Sequence, residues 1–197
     1  MHELFSVWSK TKQIVIVAIT AAVYAGTLIP FKPIQIIPGL TELRPASVIP
    51  VLFGILFGPA AAWGSAIGNL IADFFGMLSP VSVFGFVANF LFSYVAFLLW
   101  RSFVKQAVIM NWKQIAVFEV STVIASLICA IIVSFGVWVF KLAPYKVIFF
   151  VVFVNNSLMA GILGPILMKL LYKRIEKTGL IPDHGNVSAL RRFSTKV

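Results

Sequence analysis

The sequence predicts an all-α integral membrane protein, a six-transmembrane-helix bundle with both termini in the cytoplasm. Three observations predict this fold class. Hydrophobic residues make up 60% of the 197 residues and charged residues only 11%, whereas soluble domains carry about a quarter charged residues. Apolar runs of membrane-spanning length recur along the chain. Basic residues collect beside the ends of these runs, as they do in membrane proteins.

The apolar runs predict six helices in a single membrane domain that covers residues 1–197. A polar, proline-rich connection, "FKPIQIIPGLTE", follows the first helix, and Gly58-Pro59 turns the second directly into the third. The second and third helices are shorter than the roughly 20 residues that cross an average bilayer. The predicted helices are 13–30, 43–57, 60–75, 81–103, 114–140 and 147–171, and residues 172–197 form a basic cytoplasmic tail.

The distribution of Lys and Arg predicts the orientation. With both termini inside, twelve of these residues lie on the cytoplasmic side and four on the outer side, which agrees with the positive-inside rule. We therefore attribute the net charge of +10 to topology rather than to nucleic-acid binding. The outer four are Lys32, Arg44, Lys141 and Lys146. The inner twelve are Lys10, Lys12, Arg101, Lys105, Lys113, Lys169, Lys173, Arg174, Lys177, Arg191, Arg192 and Lys196.

The reactive side chains argue against catalysis and metal binding. Cys129 is the single cysteine, so the chain has no internal disulfide and no thiolate metal cluster. His2 and His184 lie in the two tails without companion ligands. The predicted membrane segments hold no histidine and no paired carboxylates below the outer mouth, so an intramembrane enzyme is not expected. No cofactor is expected either.

Polar residues of several helices reach one level of the membrane. In "GSAIGNLIADFFG", Asn69 and Asp73 stand four residues apart and share a helix face. A rise of about 1.5 Å per residue places Asn89, Asn155 and Asn156 at a similar depth in the outer half of the membrane. Amides facing hydrocarbon are costly, so we expect these groups to surround a pocket open to the outside. The pattern leaves open that the asparagines only form interhelical hydrogen bonds.

Other side chains complete the expected pocket. Glu42 and Arg44 sit at the outer mouth of the second predicted helix. Amides together with one carboxylate and one guanidinium suit a polar heterocycle, because they offer paired donors and acceptors. Phe84, together with Phe31 and Phe86, is expected to supply stacking.

Small residues mark two packing surfaces. The third predicted helix carries Ala60, Gly64, Gly68, Ala72 and Gly76 at every fourth position, which permits close approach of a neighbouring helix. We expect this surface to hold together the two short helices joined by the Gly-Pro turn.

The motifs resemble a known family. The segments "VLFGILFGPAAAWGSAIGNLIADFFG" and "VNNSLMAGILGP", with an alanine-rich first helix, resemble the substrate-binding S components of energy-coupling factor (ECF) transporters. The resemblance covers roughly Lys10 to Lys173. "TELRPASVIPVLFG" is similar to the branch assigned to queuosine precursors.

The resemblance implies a mechanism in the plasma membrane of a prokaryote. An S component captures a micronutrient from outside, its first outer loop closes over the ligand, and it docks onto a transmembrane coupling subunit. Two separate ATPase subunits hydrolyse ATP, which agrees with the lack of a GxxxxGK[ST] phosphate loop here. The resemblance assigns docking to Ala18, Ala22 and Ala25. It assigns the substrate to Asn69, Asp73, Asn89, Asn155, Asn156, Glu42, Arg44 and Phe84.

Several alternatives stay open from the sequence. The ligand is a queuosine precursor, a flavin or a corrinoid such as cobalamin. A stand-alone ion-coupled secondary transporter of a small metabolite is the main rival. Pro50, Gly161, Gly164 and Pro165 are residues that can break helices, as the ion sites of such transporters require, but no carboxylate accompanies them. A purely structural membrane protein is the third possibility.

Overall fold

The computed structural model describes residues 2–76, 78–104, 108 and 110–181. This part of the chain is helical apart from one small hairpin. The helices are α1 (His2–Phe5), α2 (Thr11–Leu28), α3 (Val48–Phe57), α4 (Pro59–Asp73), α5 (Ser82–Phe103), α6 (Trp112–Val139) and α7 (Tyr145–Lys177), and the strands are β1 (Gln35–Ile37) and β2 (Thr41–Glu42). Helix α7 continues past the predicted end at residue 171, and the predicted tail beyond residue 181 lies outside the described residues.

Four helices of the described part are long and apolar enough to cross a membrane. They are α2, α5, α6 and α7, and α3 is a shorter apolar helix. The protein is therefore a multi-pass helical membrane protein, as the composition predicted. Helices α3 and α4 have only 10 and 15 residues. The count of six spans and the cytoplasmic position of both termini stay predictions.

Helix α3 lies at the centre of the bundle. All ten of its residues are buried, and it packs mainly against α5, α7 and α4. The helix begins at Val48 rather than at Leu43, because Thr41 and Glu42 pair with β1 and residues Pro45–Ser47 form a 3-10 turn. A helix enclosed by its neighbours need not match the thickness of the bilayer by itself.

The chain reverses between α3 and α4 without a loop. Gly58 has a φ of +65°, a backbone conformation that glycine adopts without steric cost. Its N–H donates to the carbonyl of Gly54 at 2.8 Å, and Pro59 then occupies the first turn of α4, where a missing N–H is harmless. The predicted Gly-Pro turn is present.

The small-residue surface of α4 packs against α2. A Cβ atom added at Gly64 would lie 2.5 Å from Cβ of Thr20, and one at Gly68 would lie 2.8 Å from the carbonyl oxygen of Ala21. The stripe is a packing surface, as expected, but its main partner is α2 rather than the adjoining helix α3. The two backbones approach so closely that the interface has no room for a methyl group.

The proline-rich connection folds into an antiparallel hairpin. Gln35 pairs with Glu42 and Ile37 with Thr41. Gly39, at a φ of +73°, forms the turn, and its N–H donates to Oε1 of Gln35 at 2.8 Å. The hairpin therefore stands between Lys32, which follows the carboxyl-terminal end of α2, and the segment that leads into α3.

Candidate ligand-binding site

The carboxyl-terminal end of α4 carries two polar side chains into the bundle. Asn69 and Asp73 are 2% and 8% exposed, and they share one helix face because they are four residues apart. Nδ2 of Asn69 donates to Oδ2 of Asp73 at 3.3 Å. The structure thus places both groups near the carboxyl-terminal end of α4, buried in the bundle.

Three residues that flank the hairpin close a ring with this pair. Nζ of Lys32 lies 2.7 Å from Oδ1 of Asp73 and 3.8 Å from Oε1 of Glu42. Nε of Arg44 lies 3.0 Å from the same Glu42 oxygen, and Nη2 of Arg44 donates to Oδ1 of Asn69 at 2.7 Å. We call these five side chains the charged ring. Its two cations balance its two carboxylates, which is the condition for burying charge at tolerable cost.

Two atoms of the charged ring have unused hydrogen-bonding capacity. Oε1 of Glu42 and Nε of Arg44 are at ion-pair distance but not aligned for a hydrogen bond, and neither has another hydrogen-bond partner among the described residues. Both residues are more than nine-tenths buried. A buried acceptor and a buried donor therefore stand side by side, and unmade hydrogen bonds of this kind are unfavourable until a partner arrives.

The charged ring lines a pocket of about 520 Å³, its open mouth included. The lining also includes aliphatic side chains, among them Val133 and Val137 from α6 and Val152 from α7, and three hydroxyl side chains. Gly85 of α5 is a further lining residue, and a Cβ atom there would lie 2.9 Å from Nδ2 of Asn69. The lining therefore combines polar and apolar groups, which suits a polar heterocycle.

The two asparagines of α7 brace the segment that carries the ring. Nδ2 of Asn155 donates to the backbone carbonyl of Glu42 at 2.8 Å, and the backbone N–H of Arg44 donates to Oδ1 of Asn155 at 3.4 Å. Asn156 accepts from Oγ of Ser47 at 2.7 Å and contacts Sγ of Cys129 at 3.5 Å. Neither asparagine lines the pocket. Both act on the loop backbone and the start of α3, which is the interhelical role that the sequence left open.

Replacing Asn155 with alanine is expected to weaken ligand binding without abolishing it. The change removes two hydrogen bonds that hold the backbone at Glu42 and Arg44, and each is worth about 0.5–1.5 kcal/mol. Titration calorimetry of the purified protein measures the loss. Asn111→Ala, which removes a helix cap at the other end of the bundle, is the control, and an unchanged affinity for Asn155→Ala would contradict the bracing role.

Two further predicted ligand residues lie away from the pocket. Oδ1 of Asn89 accepts from the hydroxyl of Tyr24 at 2.7 Å, and its Nδ2 donates to the carbonyl of Gly85 at 2.8 Å, so both the oxygen and the nitrogen of the amide have a partner within the protein. Phe84 packs over Gly136, with Phe135 and Phe140 nearby. The expectation that Phe84 stacks on the ligand is corrected, because Phe84 does not line the pocket.

Lys32 is the pocket residue that the sequence analysis did not select. It was counted only as one of four outer basic residues, yet its side chain is 6% exposed and reaches both carboxylates of the ring. The sequence did contain a signal: two acids, Glu42 and Asp73, fall on the predicted outer side, and a buried acid needs a cation beside it.

The exposed face of α2 carries two of the three residues that were predicted to dock onto a coupling subunit. Ala18 and Ala22 are exposed, and so is Gly26 four residues further on. Ala25 is only 4% exposed and belongs to the hydrophobic core. A partner that approaches from the membrane can reach Ala18 and Ala22 but not Ala25.

Long apolar helices around a half-polar pocket define a membrane transport protein that binds a small solute. Residues 14–173 match the sequence profile described as QueT transporter, and the chain belongs to that family. The membership confirms the resemblance to S components of micronutrient ECF transporters. It also makes the protein a transporter rather than an enzyme. No curated protein and no solved structure shows a significant match to the chain.

Proposed function

We propose that the protein captures a queuosine precursor from outside the cell at the charged ring and passes it inward through an ATP-driven ECF complex. The observation that carries this proposal is the charged ring, whose Glu42 and Arg44 line a pocket together with aliphatic residues. Family membership supports this substrate class, and the charged ring offers hydrogen-bonding groups that suit it.

Queuosine precursors are 7-deazaguanine bases, and the guanine edge matches the ring. That edge presents N1–H and amino donors beside an oxo acceptor. The Glu42 carboxylate accepts from the donors, and the guanidinium of Arg44 donates to the oxo group. The aliphatic lining, including Val137 and Val152, covers the flat face of the base.

The lining of the pocket favours a base over a flavin. Its apolar side chains are aliphatic, and none of the described lining residues is an aromatic that could stack on an isoalloxazine ring. A corrinoid macrocycle is the largest of the three candidate ligands.

The hairpin between Lys32 and Glu42 serves as the lid in this proposal. Its two ends both belong to the charged ring, so closure of the hairpin and completion of the ring are one event. Lys32 and Arg44 neutralise the ring carboxylates, which leaves Lys141 and Lys146 as the exposed outer basic residues among those described. That reduction strengthens the positive-inside bias and supports an outward-facing pocket.

Docking onto a coupling subunit is proposed to use Ala18 and Ala22. Changing both to leucine is expected to weaken complex assembly by about 1–3 kcal/mol, because overpacking a close helix interface costs that much, while ligand binding is unchanged. Pull-down of the coupling module with purified variants measures assembly. Val23→Leu, a bulkier apolar residue on the same helix outside the stripe, is the control. Unchanged assembly of the double variant would reject this face.

Mass spectrometry of the small molecule that co-purifies with the protein tests the substrate. We expect a 7-deazaguanine base, and a bound flavin or corrinoid would overturn the assignment.

Uptake into vesicles tests the energy source. Accumulation is expected only when the coupling and ATPase subunits are present with ATP. Robust uptake by this protein alone under an ion gradient would instead establish a secondary transporter.

A further inference from the structure

Gly85, in the first turn of α5, lies directly beside the amide of Asn69. A Cβ atom built on Gly85 would lie 2.9 Å from Nδ2 of Asn69 and 3.9 Å from Oδ2 of Asp73. The first distance is too short for a contact between a Cβ atom and an amide nitrogen. The side chain of Asn69 therefore occupies space that the side chain of any residue other than glycine would fill.

The hydrogen bonds of Asn69 require one orientation of its amide. Oδ1 accepts from Nη2 of Arg44 at 2.7 Å, and Nδ2 donates to Oδ2 of Asp73 at 3.3 Å. A reversed amide would place its oxygen against the carboxylate and its NH₂ group against the guanidinium, and neither contact is a hydrogen bond. Because Asn69 and Arg44 both line the pocket, a displaced amide would change the groups that the pocket offers to a ligand.

A methyl group at Gly85 would act on a side chain and not on a helix backbone. The three nearest atoms to its Cβ all belong to the side chains of Asn69 and Asp73, whereas a Cβ at Gly68 meets the backbone of Ala21. The end of a side chain can move while the helices stay in place, so the fold is expected to tolerate alanine at Gly85. The amide of Asn69 is then the group that moves, and the charged ring loses its alignment.

A hydrogen-bonded pair holds the turn of α5 that carries Gly85. Nδ2 of Asn89 donates to the carbonyl of Gly85 at 2.8 Å, and Oδ1 of Asn89 accepts from the hydroxyl of Tyr24 at 2.7 Å. Tyr24 and Asn89 are each only 1% exposed, and hydrogen bonds in such an interior are stronger than in water. The pair thus ties the first turns of α5 to α2.

We propose that Gly85 is a positioning residue of the charged ring and that the Tyr24–Asn89 pair holds Gly85 in place. Gly85 acts through the amide of Asn69, and the pair acts through Gly85. The inference rests on the proposed function, because it concerns the alignment of ligand-binding groups in this pocket.

A double-mutant cycle between Gly85 and Asn69 tests the proposal. Titration calorimetry measures the affinity for 7-deazaguanine, the ring system that the proposed ligands share. Gly85→Ala is expected to lower the affinity of the wild type by about ten- to hundredfold, because a hydrogen bond to a charged group contributes about that factor. Asn69→Ala makes room for the added methyl group. In that background Gly85→Ala is expected to change the affinity by less than about twofold, since the two positions act as one unit.

Gly161→Ala is the matched control for the added methyl group. A Cβ atom there would lie 2.7 Å from Oε2 of Glu119, which is also the end of a polar side chain, and neither residue lines the pocket. This variant is expected to keep the wild-type affinity. Thermal unfolding in detergent shows which of the variants are folded.

Tyr24→Phe tests the pair without adding any atom. The change removes one hydroxyl and its bond to Asn89, and the affinity is expected to fall by about three- to tenfold. Thr27→Val is the control on the same helix, because the Thr27 hydroxyl bonds only to carbonyls of α2. Its affinity is expected to equal that of the wild type.

The outcomes separate this inference from the proposed function. Wild-type affinity in Gly85→Ala would overturn the positioning role. An equal loss of affinity in both backgrounds would also overturn it, because the methyl group would then act on the ligand directly. An unchanged affinity in Tyr24→Phe would overturn the role of the pair, and it decides alone if Gly85→Ala does not fold. No binding of 7-deazaguanine to the wild type would overturn the proposed function, and the positioning role with it.

Discussion

Arg44→Ala is expected to weaken ligand binding strongly. The guanidinium is the only ring member that contacts both the second carboxylate, Glu42, and the amide of Asn69. Removing one partner of a buried ion pair leaves the other charge uncompensated, which costs about 3–5 kcal/mol. About 1.4 kcal/mol corresponds to a tenfold change in affinity, so the affinity should fall by about a hundredfold or more.

Titration calorimetry with the co-purified ligand measures this loss, and two variants make it specific. Lys146→Ala removes an exposed outer charge and should bind like the wild type. Arg44→Lys keeps the charge but not the two-pronged geometry, and we expect it to recover only part of the affinity. Tight binding by Arg44→Ala would show that the ligand does not use the charged ring.

The second large effect concerns stability. Gly64→Ala and Gly68→Ala are each expected to destabilise the protein by about 1–3 kcal/mol, the usual cost of overpacking a close interface. The added methyl at Gly64 would lie 2.5 Å from Cβ of Thr20, and the one at Gly68 would lie 2.8 Å from the backbone of Ala21. Because backbone atoms cannot yield as a flexible side chain does, α2 and α4 must move apart.

Thermal unfolding in detergent measures this destabilisation, and Gly26→Ala is the matched control. Gly26 also lies within a helix, α2, but a Cβ atom there meets no atom within 4 Å. That variant should be as stable as the wild type or gain about 0.5–1 kcal/mol from the better helix propensity of alanine. Equal stability of all three variants would mean that α2 and α4 are not in such close contact.

The positions of the helices were largely predictable from hydropathy. Whether protein or lipid covers each helix was not predictable. A run such as α3 is equally apolar whether lipid or protein covers it, because lipid tails and leucine side chains are similar in polarity. The sequence therefore could not show that all ten residues of α3 are enclosed. For the same reason it did not identify α2 as the partner of the glycine stripe on α4.

The residues of the candidate site were likewise predictable only in part. The positions of Asn69 and Asp73 follow from helical periodicity, and the structure brings them together with Glu42 and Arg44. Lys32 was missed because its reach depends on a flexible side chain in a loop without periodicity. Asn155 was assigned to the ligand because an amide looks the same in a sequence whether it binds a solute or, as here, a backbone carbonyl.

The charged ring is divided between two parts of the chain that need not move together. Lys32, Glu42 and Arg44 belong to the hairpin and its flanks, with a summed charge of +1, whereas Asp73 belongs to α4 and carries −1. Lifting the hairpin would uncover an acidic floor, and lowering it would restore neutrality. Arriving solutes would then meet a negative potential that draws cations in at low ionic strength, while the sealed chamber discriminates by hydrogen bonding. The open, negatively charged pocket would thus attract solutes, and the closed, neutral pocket would select among them.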